Sequence, residues 1–264
     1  MSSDVDRCVC IDGSVLVVRH ITDRAWLTRE PDLIEREATA LRLLAGAGVP
    51  APGLVAADVD GGRLLMTSLG GAVVAGADEL RAGAWAIGEV AASIAAVELP
   101  ADHGLPSWQA WVPVDPSPPT WGDGGLWREA IDAYWSRPLP SIDRPVLLHR
   151  DLHPLNLLWA GDRVVGVVDW VNACVGHPHA ELGHCRWNLS VLVDQPAAEA
   201  FLAANLTSTG GVAYDPWWDL CAALGHLPGP IRLSGWHAVG RLDLDMSAVI
   251  AATERFVTAA LGRW

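Results

Sequence analysis

Three oxygen-bearing side chains, Asp151, Asn156 and Asp169, stand at spacings that suit chemistry on phosphates. Leu157 to Trp159 and Val164 to Val168 are apolar, β-prone runs flanking Ala160-Gly161-Asp162-Arg163, which predicts a hairpin about that turn. Asn156 opens the first strand and Asp169 closes the second, so both fall at the open end of one ribbon. Asp151 lies just upstream, in the loop that enters it. Paired oxygen donors on a rigid hairpin suit a hard cation such as Mg²⁺, which keeps waters and phosphate oxygens as its other ligands. The carboxylate outside that pair is free to take a proton from an attacking hydroxyl. The plain alternative is three turn residues capping strand ends. So many fixed positions in one short segment weigh against it.

His149-Arg150-Asp151, then Asn156, then Asp169 beyond a short hairpin resembles the catalytic and metal-binding signature of protein kinases. His149-x-Asp151-x-His153-Pro154-x-Asn156 with Val168-Asp169-Trp170 resembles the aminoglycoside phosphotransferase family of the same superfamily still more closely. The likeness is tight from Val146 to Trp170 and extends loosely to Glu37 upstream and Gly183 downstream. It implies Mg²⁺, with ATP or GTP as co-substrate, and transfer of the γ-phosphate to a hydroxyl of a small molecule such as an aminoglycoside or another cationic or sugar compound. On that resemblance Asp151 orients and deprotonates the acceptor, His149 braces the loop, and Asn156 and Asp169 hold the metal. Arg19 takes the place of the basic residue that grips the α- and β-phosphates, with Glu37 as its partner; the chain contains no Lys. Met66, Thr67 and Ser68 offer backbone contacts to the base, Glu181 braces the catalytic loop where relatives carry Asp, and Trp170 and Trp187 face the acceptor. Asp169-Trp170-Val171 in place of Asp-Phe-Gly, and no closing Ala-Pro-Glu, argue against a protein substrate. No glycine-rich phosphate loop precedes Arg19, so the alternative is a nucleotide-binding protein of weak or absent activity.

The elements that must position these residues follow from local pattern. Arg7 to Ile11 and Ser14 to His20 predict a hairpin about Asp12-Gly13. Pro31 to Ala45 predicts a helix with the stripe Ile34, Ala38, Leu41, Ala45, ended by Gly46 and Gly48. Glu37 shares that inward face and therefore needs a partner. Leu54 to Asp58 and Arg63 to Ser68 predict two more strands, and Leu69-Gly70-Gly71 a connector. Beyond it Asp78 caps a helix with stripe Leu80, Ala84, Ile87, Ala91, Ile94. Residues 100–125 read as a long ordered loop, and helices are expected at Leu126 to Trp135 and Ser247 to Leu261. The expected fold is α+β, two-lobed and protein-kinase-like: a small β-rich lobe over 1–68, lacking its first strand, and a mainly helical lobe over 69–264.

Apolar residues at 51% and charged residues at 19% indicate a folded chain rather than a disordered one. A net charge of −13 argues against a nucleic-acid partner and is compatible with a cationic acceptor. No apolar run spans a bilayer, the start lacks a signal-peptide pattern, and five scattered cysteines suit free thiols, so a cytoplasmic protein is expected. Asp215, Asp219, Asp243 and Asp245 are read equally as meeting a cationic substrate or as lining solvated helix faces. Cys174, His177, His179, His184 and Cys185 lie close together, but their spacing fits no common zinc pattern; the histidines are read as flanking a substrate cleft. The fourteen Trp residues read mostly as core.

Overall fold

The computed structural model describes residues 3–264 apart from 142, 212 and 230. The N-terminal region is a four-stranded antiparallel sheet with helices beside it. Strands β1 (Ser3–Val9) and β2 (Val15–Ile21) pair about a turn in which Asp12 accepts hydrogen bonds from Ser14 and Gly13 takes φ +83°. Helices α1 (Arg24–Arg29) and α2 (Leu33–Leu44) follow, then β3 (Leu54–Asp58) and β4 (Arg63–Thr67). Strand order is β1-β2-β4-β3, so β1 lies at an edge. Among the described residues no strand pairs with the free side of β1. Helix α1 was not expected: six residues are too short to show periodicity, and its signal is the Asp23 cap on the Trp26 amide. Helix α2 starts later than predicted, at Leu33, with Asp32 as N-cap.

The α2 stripe does what its spacing demands. Ile34, Ala38 and Leu41 are fully buried, and Glu37 on the same face is 1% exposed; Ala45, expected in that stripe, is instead the exposed C-cap. These side chains pack with Ile21 and Leu64 of the sheet and with Leu157, Val167 and Trp170 further along the chain. One apolar core therefore ties the sheet to the ribbon that carries Asn156 and Asp169.

The remainder is mainly helical. It runs through β5 (Ala72–Val73), α3 (Ala77–Ala95), α4 (Gly124–Trp135), β6 (Val146–Leu148), β7 (Leu157–Ala160), β8 (Arg163–Val167) and β9 (Cys174–Gly176). It ends with α5 (Pro178–Leu192), α6 (Gln195–Thr209), α7 (Trp217–Leu224), α8 (Ser234–Ala238) and α9 (Met246–Leu261). The expected stripe of α3 is buried throughout; its Leu80, Ile87 and Ile94 each contribute about 1.5–3 kcal/mol. Gly76 rather than Asp78 is the α3 cap, and Asp78 sits in the first turn. Helices α3 and α6 approach so closely that a Cβ on Gly88 would stand 2.3 Å from the Phe201 carbonyl oxygen. Residues 100–123 carry no helix or strand, yet Trp108 and Val175 tie them to β9 through backbone hydrogen bonds. A second apolar core gathers Trp127, Trp187, Trp217, Trp218 and Phe256. All five cysteines are free thiols, and no described helix is long and apolar enough to cross a membrane.

Candidate active site

Strands β7 and β8 form the predicted ribbon, with Leu157 opposite Val167. The Val168 amide donates to the Asn156 carbonyl at 3.0 Å, which holds Asn156 and Asp169 on neighbouring strand ends. The Asn156 side chain donates Nδ2–H to the Asp151 carbonyl at 2.9 Å, leaving its Oδ1 as an acceptor. Asp169 adopts a left-handed backbone, φ +69°, that turns the chain out of β8. Asp151, Asn156 and Asp169 are thus brought together.

His149 is fully buried and serves both segments at once. Its Nδ1 accepts from the Asp151 amide at 3.3 Å, so Nε2 carries the proton and donates to the Val168 carbonyl at 2.9 Å. The loop is fixed a second time by Glu181 of α5. Its carboxylate accepts from the Arg150 amide at 2.8 Å and from the Leu152 amide at 3.1 Å, on either side of Asp151. Arg150 itself is held at φ +68°, a conformation that costs a non-glycine residue about 1–2 kcal/mol and persists only under such bracing.

Two histidines that the motif did not assign touch Asp151. His184 of α5 lies 3.1 Å from Asp151 Oδ1, and His153 lies 3.7 Å from the same atom. The His153 Nδ1 accepts from the Leu155 amide, so its protonated Nε2 faces the carboxylate. His184 Nε2 also lies 3.2 Å from the Asn188 amide nitrogen, which donates to the His184 carbonyl at 3.1 Å; because a carboxylate only accepts, the Nε2 facing Asp151 is the protonated nitrogen and donates to it. Burial alone would push the Asp151 carboxyl up; the surrounding imidazoles of His153, His184 and His149 outweigh it and hold the group well below the usual carboxylate range. Asp151 is an ionised acceptor at neutral pH. The sequence signal for His184 was its place in the His/Cys run over 174–185, read there as cleft-flanking. No three of its potential ligands gather around a metal position among the described residues.

Arg19 sits in β2 opposite Leu64 and points its Nη1 at Glu37, 3.1 Å from both carboxylate oxygens, and at Asp169 Oδ1, 2.6 Å away. Glu37 also accepts from the Trp170 amide at 3.2 Å. Burial acts most strongly on both partners: it pushes Glu37 up, and on Arg19 it is outweighed by the two carboxylates, so the guanidinium stays charged. Arg19 Nε is buried without a partner among the described residues. An unmet donor beside the oxygen atoms of Asn156 and Asp169 fits a nucleotide phosphate with a divalent cation, which those two side chains would hold.

Other expectations are corrected. Trp170 and Trp187 do not face an acceptor: they are 0% and 2% exposed. Trp170 packs on His149 and donates to the Val167 carbonyl, while Trp187 stacks on His226 and donates to Thr253. Of the backbone groups of Met66, Thr67 and Ser68, the Thr67 amide donates to the Gly53 carbonyl and the Ser68 amide to the Val15 carbonyl. The four carboxylates read either as open to a cationic substrate or as solvated are engaged within the chain. Asp215 pairs with Arg137, Asp219 with Arg186 and Arg263, Asp243 with Arg241, and Asp245 caps α9.

A family model described as the APH phosphotransferase enzyme family matches residues 9–217. None of the curated proteins matches the chain. Among solved structures, the macrolide 2'-phosphotransferase MphH from Brachybacterium faecium is 20% identical, with a TM-score of 0.59 over 96% of this chain and 89% of that one. A thermostable mutant of the aminoglycoside phosphotransferase APH(4)-Ia, in complex with ADP and hygromycin B, is 16% identical, with a TM-score of 0.63 over 99% and 90%. The amicoumacin kinase hAmiN, in complex with AMP-PNP, Ca²⁺ and Ami, is 15% identical, with a TM-score of 0.58 over 98% and 86%. At these identities the likeness is one of fold.

Proposed function

Because this chain belongs to the APH phosphotransferase enzyme family, we propose that it transfers the γ-phosphate of a nucleoside triphosphate to a hydroxyl of a small molecule. The observation that supports this most is the convergence of Asp151, Asn156 and Asp169 on one braced ribbon, with a buried cation, Arg19, alongside. Asp151 accepts a hydrogen bond from the acceptor hydroxyl and aims its oxygen at the γ-phosphorus. The new O–P bond forms as the bond to the β,γ-bridging oxygen breaks; the proton passes to Asp151, and the nucleoside diphosphate leaves with the bridging electrons. Held below the usual range, Asp151 is a weak base. That suits a loose transition state in which orientation outweighs early proton removal. Arg19 donates to phosphate oxygens while Glu37 fixes its direction. A divalent cation held by Asn156 and Asp169 would neutralise phosphate charge.

The small β-rich part over 1–68 takes the nucleotide and the helical part over 69–264 the acceptor. With Thr67 and Ser68 amides engaged, carbonyls of this connector are the groups left to meet the base. The test is acceptor-dependent ADP or GDP release by the purified chain and its Asp151→Asn variant. Turnover should fall by about 10³-fold or more in the variant, as expected when a positioned base is removed; equal rates would end the assignment.

A further inference from the structure

Among the described residues, Asp151 is held at every hydrogen-bonding atom but one. Its amide donates to His149 Nδ1 at 3.3 Å, and its carbonyl accepts from the Asn156 side chain at 2.9 Å. Its Oδ1 accepts from His184 Nε2 at 3.1 Å; His153 Nε2, at 3.7 Å, faces the same oxygen from beyond hydrogen-bond reach. No described residue donates to Oδ2, and the side chain is 29% exposed, so that oxygen is open to an incoming group.

His184 has no part in the motif, yet it stands on the helix that already braces the loop. It follows Glu181 by three residues in α5, so the two side chains leave one face of that helix. Glu181 takes the amides on either side of Asp151, and His184 takes the carboxylate itself. The imidazole is fixed in turn. The Asn188 amide ties its backbone carbonyl at 3.1 Å, and the Trp111 ring meets it edge to face, with centroids 5.7 Å apart. The last torsion of an Asp side chain is broad and roughly two-fold, so without a fixed donor its two oxygens exchange places. A donor on Oδ1 alone removes that freedom. We propose that His184 is a positioning residue for phosphoryl transfer: its Nε2–H pins Asp151 Oδ1, and Oδ2 is the oxygen that meets the acceptor hydroxyl. This rests on the phosphotransferase reading above. The hydroxyl proton passes to Oδ2 as the O–P bond forms and the bond to the β,γ-bridging oxygen breaks. The His184 proton stays on Nε2 throughout.

Two substitutions separate the donor from the bulk of the ring. His184→Leu fills the space without an N–H, whereas His184→Gln offers an amide N–H in its place. Turnover of MgATP is followed with water as the only acceptor, and calorimetry reads the binding of a non-hydrolysable ATP analogue with Mg²⁺. His184→Leu should lower kcat by about 10- to 100-fold, as expected for one charge-assisted hydrogen bond and a misplaced base, and leave analogue affinity unchanged. His184→Gln should recover part of that loss. In an Asp151→Ala background, His184→Leu should lower kcat no further, because the group it positions is gone. Equal losses in the Leu and Gln variants, a fall in analogue affinity that tracks kcat, or a full effect in Asp151→Ala overturns the proposal. A second readout needs no turnover. With histidine ring nitrogens isotopically labelled, NMR should show His184 protonated at Nε2, with a proton resonance that shifts or disappears in Asp151→Ala; a ring signal indifferent to that change contradicts the pairing. A parent chain that shows the pairing yet turns over no nucleotide sinks the phosphotransferase reading, and with it the role but not the contact.

Discussion

Glu181 holds the loop that carries Asp151 from both sides, and replacing it with Gln separates that role from bulk packing. The carboxylate is 4% exposed and receives two backbone amides, Arg150 at 2.8 Å and Leu152 at 3.1 Å. Gln is nearly isosteric but has one oxygen; its NH₂ must then face one of the two N–H groups. One buried amide is left unmet, and the other loses its charged acceptor, a combined cost of about 2–3 kcal/mol. For a chain of this length that corresponds to a midpoint lowered by about 4–6 °C. The loss should not stop at stability. Arg150 stays at φ +68° only while its amide is held, so the loop relaxes toward ordinary φ and carries Asp151 with it. A displacement near 1 Å costs about 100-fold in rate. Urea denaturation reads the first effect as a shifted midpoint at unchanged slope, and acceptor-dependent nucleotide turnover reads the second as a fall in kcat. A Glu181→Gln chain with the parent's midpoint and kcat would refute the bracing role.

Arg19→Met leaves Glu37 buried at 1% exposure without its guanidinium, and should cost about 3–5 kcal/mol in urea denaturation together with nucleotide affinity measured by calorimetry. Trp170→Ala should destabilise by about 3–5 kcal/mol, because a fully buried indole is lost from the core; an increase in acceptor KM with the midpoint unchanged would return Trp170 to the acceptor site. His226 and His179 are pushed down by burial from 6.5 to about 3 and about 4, so between those values and pH 6.5 the unfolded chain binds more protons. Stability should therefore fall as pH is lowered from about 6.5 toward 4, and the double variant His179→Gln/His226→Gln should flatten that slope in urea titrations at successive pH values.

The parts of this molecule that sequence made legible are those governed by local rules. The ribbon was readable because Gly161 and two β-prone runs specify a hairpin, and Asn156 and Asp169 then fall at its open end without further information. The α2 stripe placed Glu37 inward, which demanded the partner that Arg19 supplies across the sheet. What sequence could not show was direction in space. Trp170 adjoins Asp169, but the left-handed turn at Asp169 sends its indole into the core beside His149. The acidic residues over 215–245 looked available because no periodicity reveals that Arg137, Arg186, Arg241 and Arg263 arrive beside them from other segments or nearby turns. Likewise the contact of His184 with Asp151 joins residues from a loop and a helix, a pairing set by how α5 packs under the catalytic segment.

The measurement that tests the central claim most directly is calorimetric titration of ATP, with and without Mg²⁺, into the parent chain and its Asp169→Ala and Asp151→Asn variants. Magnesium should strengthen binding to the parent and to Asp151→Asn alike, and that gain should vanish in Asp169→Ala. A gain retained in full without the Asp169 carboxylate would contradict the assignment of the ribbon as the cation-binding centre.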